Sequence, residues 1–256
     1  YNGRIFADPN LVIAAPGAHS QRGSAHHYRL ERARAFAFLA SPDYQRIEAT
    51  AAGVSVSSYA LPEHAEASRA AVDIARQALS IYQRAYGPYP LDELVIAENA
   101  YRSAMEYSGL ISISRDAYER FQPGPQSLLV SLVTHEIAHQ WWYHAVGSDQ
   151  VHEPWLDEAF AKYSEGLYYD RVAPDIVGWW WEHQVQSVNT NGVLDVSIYA
   201  FEDKETYIGQ IYTQGASFLD DLRWLMGEAA FFEFVRAYRR YGEGRIVTTE
   251  DFFTLL

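Results

Sequence analysis

The segment VTHEIAHQWW, residues 133–142, sets His135 and His139 four residues apart with Glu136 between them. Leu128, Leu129, Leu132, Val133, Ile137 and Ala138 are apolar nearly all round a helical wheel, so a buried helix is expected from Gln126 to Ala145. At about 3.6 residues per turn, positions i and i+4 lie on one face, and both imidazoles can reach one metal ion. Glu136 is rotated by about 100° from His135. That suits a base acting on water beside the metal better than a third ligand. HExxH on a helix is a zinc pattern, and two histidines inside a buried helix need partners of the kind a cation supplies.

A second helix is expected over 154–170, PWLDEAFAKYSEGLYYD, and it carries Glu158, with eighteen residues between it and His139. Two histidines and a glutamate leave a fourth position open, the arrangement of catalytic rather than structural zinc. The chain has no Cys, so imidazole and carboxylate are its available strong ligands. One Zn2+ per chain is therefore expected on His135, His139 and Glu158. The unused imidazole nitrogens should meet carboxylates or carbonyls, and Glu165, two turns beyond Glu158, is either such a partner or a solvated charge. His144 and His152 read as structural or exposed, since three protein ligands complete the set.

With these residues in place, the chain resembles the aminopeptidase N family of gluzincin metallopeptidases. HEIAH and the Glu of WLDEAFA are similar to its zinc signature, SAMEYSGL (103–110) to its GAMEN loop, and YTQGA (212–216) to its YxKGA segment, all in the family's order. The resemblance implies an α+β, thermolysin-like catalytic domain over 62–256, cut short at its C-terminal end. Before it, residues 1–61 would be the last part of an antiparallel N-terminal β-domain. It implies that Tyr212 donates its phenol to the tetrahedral oxyanion, and that Glu106 pairs with the free α-amino group of a peptide substrate. Ala104, Met105 and Gly109 would bind substrate alongside it. Position alone leaves Glu106 as a loop charge, and nothing but the resemblance selects Tyr212 among 19 tyrosines. Ser103 stands where the family has Gly, Tyr107 where it has Asn, and Gln214 where it has Lys. The expected activity is zinc-dependent release of N-terminal amino acids. A thermolysin-type endopeptidase, or a peptide- or partner-binding domain without turnover, remains open.

The rest of the 256 residues agrees with a folded enzyme. Apolar residues make up 48% and aromatics 15%, enough for a sizeable core. A net charge of −13 argues against nucleic acid, which demands a basic footprint, and favours a positively charged substrate end. No run of 18 apolar residues suggests a membrane segment. Oligomeric state and cellular location leave no mark. The start at Tyr1 and the stop inside an amphipathic pattern at Phe252–Leu256 read as a fragment.

Strand pieces are expected over 1–27, with His19, His26 and His27 as exposed loop histidines. Antiparallel strands are expected at 35–40, 44–51 and 54–59 around Ser41-Pro42-Asp43 and Gly53. A helix from Pro62 to Tyr86 should stop at Gly87-Pro88-Tyr89-Pro90, ahead of a buried strand at 94–97. The alternating strand 110–114 reads as an edge able to pair with an extended peptide, or as an ordinary sheet strand. Beyond the ligand helices come a helical segment with Trp179, Trp180 and Trp181, whose indoles cannot share one face, and a loop at 189–192. The chain is expected to loop on to Tyr207–Ala216, with further helices after Ala216 through Leu225, over 228–241, and from Thr249.

Overall fold

A computed structural model describes residues 1–187 and 192–256; the loop expected at 189–192 falls, as far as residue 191, outside the described residues. The chain is α+β and divides into two compact units, Tyr1–Ser80 with Tyr89–Gln140, and Ile81–Pro88 with Trp141–Leu256.

Among its described residues the first unit contains β1 (Asn2–Phe6), β2 (Val12–Ala14), β3 (Ala18–Arg22), β4 (Ala25–Arg29), β5 (Leu39–Ser41), β6 (Gln45–Ala51) and β7 (Val54–Ala60). Helix α1 (Ala65–Tyr86) follows, its last turns belonging to the second unit, and then β8 (Glu93–Asn99), β9 (Met105–Tyr107), β10 (Leu110–Ser114), α2 (Arg115–Glu119) and α3 (Leu128–Ala138). The main sheet runs β6-β7-β8-β10-β9. Its central pairs β7–β8 and β8–β10 are parallel, and its outer pairs β6–β7 and β10–β9 antiparallel. Strands buried on both faces favour apolar runs: Leu94–Ala97 is unbroken, and in Leu110–Ile113 only the small, buried Ser112 interrupts the run. On one face Ala14, Tyr59, Val95, Ala97 and Leu110 form a core cluster, with Tyr107 packed against it.

Three expectations change here. Strand β10 is wholly buried between β8 and β9, so the sheet edge is β9, which carries Glu106. Residues 35–38 form no strand, because the side chain of Ser108 takes up the N–H groups of Arg34 and Ala35 and Phe36 packs on Tyr28. His19, His26 and His27 lie on strands rather than loops. His26 is buried, its Nδ1 3.2 Å from His19 Nε2, and desolvation, and after it the neighbouring imidazole, lower the pKa of His19.

Helix α3 starts where Ser127 Oγ accepts from Leu129 N, and it ends at Ala138 rather than at Ala145. Beyond it Gln140 N donates to Ile137 O and Val146 N to Trp141 O, closing tight turns in place of further helix. The side chains explain the stop. Gln140 is held by a turn of its own unit, and both following indoles are fully buried, Trp141 donating to Gly87 O and Trp142 lying 4.3 Å from the Phe160 ring. His139 keeps helical φ and ψ as the last residue of the run, so the i, i+4 relation to His135 survives.

The second unit holds β11 (Gly147–Ser148), α4 (Trp155–Val172), α5 (Val177–Trp180), α6 (Lys204–Tyr207), α7 (Gly215–Met226), α8 (Glu228–Gly242), β12 (Ile246–Val247) and α9 (Thr249–Leu255). Its core is aromatic. Phe160 stacks on Tyr238, and Phe252 meets Phe234, Tyr238 and Trp155 edge-on at 5.1–5.4 Å. Tyr82 and Tyr86, from the end of α1, bond to the carbonyl and hydroxyl of Ser164 on α4 at 2.9 and 2.8 Å. Of the three adjacent tryptophans, Trp180 is fully buried and its neighbours half-buried, as one helix face requires. Between α6 and α7 the residues Ile208–Gln214 form a π-helical turn. Among the described residues no helix is long and apolar enough to cross a membrane.

Candidate functional site

The first unit brings together four of the residues singled out above. His135, Glu136 and His139 are at most 8% exposed on and at the end of α3, and the two Nε2 atoms stand 3.2 Å apart. Two nitrogens bound at about 2.0–2.1 Å to one tetrahedral zinc stand roughly 3.3 Å apart. The pair therefore fits that ion as it lies. The carboxylates of Glu106 and Glu136 and a ring nitrogen of His139 lie within 4.8 Å of one another. Glu106 is half-buried on the edge strand β9 opposite Ile111, beside an exposed Met105 and a half-buried Ala104. Gly109 is buried in the turn to β10, where a positive φ of 74° and contacts to Pro16 and Leu91 favour glycine.

The second unit brings together Glu158 and Tyr212. Glu158 is half-buried in the first turn of α4, where a carboxylate is favoured by the unsatisfied N–H groups of the helix start. Its own N–H donates to Asp157 Oδ1, and Asp157 Oδ2 accepts from Gln150. Tyr212 lies in the π-helical turn and hydrogen-bonds Glu158; burial, and after it the Glu158 charge, hold the phenol well above its usual pKa. Gly215 makes this approach possible, since a Cβ there would stand 2.5 Å from Ala159 Cβ. Glu165 is neither solvated nor free: it is buried and pairs with Lys162 Nζ at 2.9 Å. His144 is buried, and His152 is exposed and paired with Asp149.

Residues 70–256 match the profile described as the peptidase family M1 domain. The chain belongs to this family. Among M1-family relatives, it is 28% identical to aminopeptidase N of Lactobacillus delbrueckii subsp. lactis over 83% of this chain and 28% of the relative. It is likewise 28% identical to human endoplasmic reticulum aminopeptidase 1 over 76% of this chain and 22% of the relative. The chain thus spans about a quarter of the length of these relatives. A solved M1 zinc metallopeptidase from Deinococcus radiodurans shares the fold, with a TM-score of 0.68 at 23% identity over 96% of this chain and 57% of that one.

Membership in the M1 family gives the departures from its motifs a physical reading. Tyr107 points to the face of Leu110 and packs against the core cluster around Tyr59 and Val95, opposite to the face of Glu106. Gln214 exchanges two hydrogen bonds with the backbone of Gly192.

Three supporting residues escaped the sequence reading. Glu98, buried at the end of β8, accepts from Leu61 N, His64 Nδ1 and Arg115 Nε at 2.9–3.0 Å. Asn99 next to it bonds Ser103 O, Ser112 Oγ and Tyr101 N, and so holds the loop that leads into β9. Gln140 reaches the turn after Glu106. The available signal was a Glu-Asn pair closing an apolar strand, and an amide between His139 and two tryptophans. Buried polar groups in such places must be bonded to something.

Proposed function

We propose that the chain carries the catalytic part, over 62–256, of a zinc-dependent aminopeptidase that releases N-terminal amino acids from peptides. His135, His139 and Glu158 would hold one zinc ion per chain. Zinc bound there polarises a carbonyl and lowers the pKa of water from about 15.7 towards about 7. Glu136 takes the proton of the attacking water and hands it to the leaving amine. Tyr212, kept protonated by burial and by Glu158, donates its O–H to the oxyanion that forms at the scissile carbonyl. Glu106 receives the free ammonium of the substrate in a charge-assisted hydrogen bond, with Ala104, Met105 and Gly109 shaping its surroundings. The edge of β9 offers backbone groups to the peptide that follows the ammonium.

The observation that carries this reading is the closeness of Glu106 to Glu136 and His139. A second carboxylate beside the base adds nothing to internal cleavage, yet it fits a substrate whose amine lies next to the scissile bond. The test compares one short peptide with its N-acetylated form, with and without a zinc chelator. Chelator-sensitive cleavage of the free peptide alone is expected. Equal cleavage of both would make the protein an endopeptidase, and cleavage of neither would leave it a binding domain.

A further inference from the structure

We infer that Gln140 is a positioning residue which fixes Glu106 relative to His139; this rests on the reading of Glu106 as the ammonium anchor. Gln140 follows His139 directly and its side chain is fully buried. Its Oε1 accepts from Gly109 N at 2.9 Å, and its Nε2 donates to Tyr107 O at 3.0 Å. One planar carboxamide therefore grips both ends of the turn joining β9 to β10. A single hydrogen bond leaves the turn free to pivot, whereas two from one rigid group fix its plane.

The other anchors of the turn lead away from the metal ligands. Gly109 O accepts from Val95 N in the sheet, and Ser108 Oγ accepts from Arg34 N. Gln140 links this turn by two hydrogen bonds to the segment that bears His139. Glu106 itself sits on a three-residue edge strand with β10 as its neighbour, so its height depends on how the turn is held. A shift of about 1 Å in such a group is enough to lose an oriented contact.

The experiment uses Gln140→Leu and Gln140→Glu in the metal-loaded protein. Leu removes both bonds at similar volume. Glu keeps an acceptor for Gly109 N and loses the donor to Tyr107 O. For Gln140→Leu, a drop of at least tenfold is expected in the ratio of kcat/KM between the free and N-acetylated peptide, carried by KM of the free peptide, at unchanged zinc content. Gln140→Glu should fall between it and the parent. The same losses should be absent when Glu106→Gln is already present, because Gln140 acts through Glu106. Independently of turnover, the Gly109 amide should exchange with deuterium at least tenfold faster in Gln140→Leu.

Unchanged discrimination with unchanged Gly109 exchange in a folded variant would overturn the inference and leave the aminopeptidase reading standing. Additive losses in the double variant would do the same, since they would mark a general packing role. Equal cleavage of both peptides by the parent protein would overturn the reading of Glu106 and this inference with it. If Gln140→Leu does not fold, Gln140→Glu carries each of these measurements.

Discussion

In the proposed mechanism Glu136 and Tyr212 are separable by substitution, because one would serve as a proton acceptor and the other as a hydrogen-bond donor. Glu136→Gln keeps the side chain's size and removes its basicity, so zinc content should stay constant while kcat falls by about 10²–10⁴-fold. Full activity with metal bound would remove Glu136 from the mechanism. Tyr212→Phe removes one O–H, and for one well-placed donor roughly 3–4 kcal/mol, or about 10²–10³-fold in kcat, is at stake. An unchanged rate with unchanged zinc content would release Tyr212 from that role. At this scale the sequence was most legible where chemistry forces residue types at a spacing, as with His135, Glu136 and His139. Gln140 was opaque because its partners are about thirty residues away, and nothing in a lone glutamine names them.

The elements hold these residues through two close approaches at glycine. Gly109 adopts a positive φ, and an added Cβ would meet Pro16 and Leu91 at 3.0 and 3.1 Å. Gly109→Ala should therefore cost about 1–3 kcal/mol, read as a lower denaturant midpoint. Gly215→Ala would drive a methyl into Ala159, separating α7 from α4 and Tyr212 from Glu158. Lower thermal stability together with lower kcat is expected, and a stable, fully active Gly215→Ala would show that the spacing has slack. Periodicity predicted most elements, since strands and helices that bury one face announce it in the sequence. It failed at 35–38 and beyond Ala138, where side chains capture backbone groups or indoles leave for a core. It also failed to rank strands within the sheet: β10 and β9 differ in neighbours, and those are set by long-range pairing.

For the molecule as a whole, composition supplied the class and little more, because an apolar content of 48% suits many folds. The chain's division into units was beyond any local pattern, because α1 is one unbroken helix whose last turns belong to a unit otherwise built from residues after Gln140. This has a consequence in time. Tyr82 leaves the ribosome 82 residues before Ser164, the residue it bonds. At roughly 5–20 residues per second the interval is about 4–16 s, during which the aromatic end of the helix has no native cover from that partner. Chains arrested near residue 150 should let a nitrating reagent modify Tyr82 and Tyr86, and complete chains should protect both. Protection in the arrested chain would mean that the growing polypeptide shelters this end by other means. If they react, synthesis itself leaves a greasy, hydroxyl-tipped end waiting for its partner, a natural handle for whatever escorts the chain until α4 arrives.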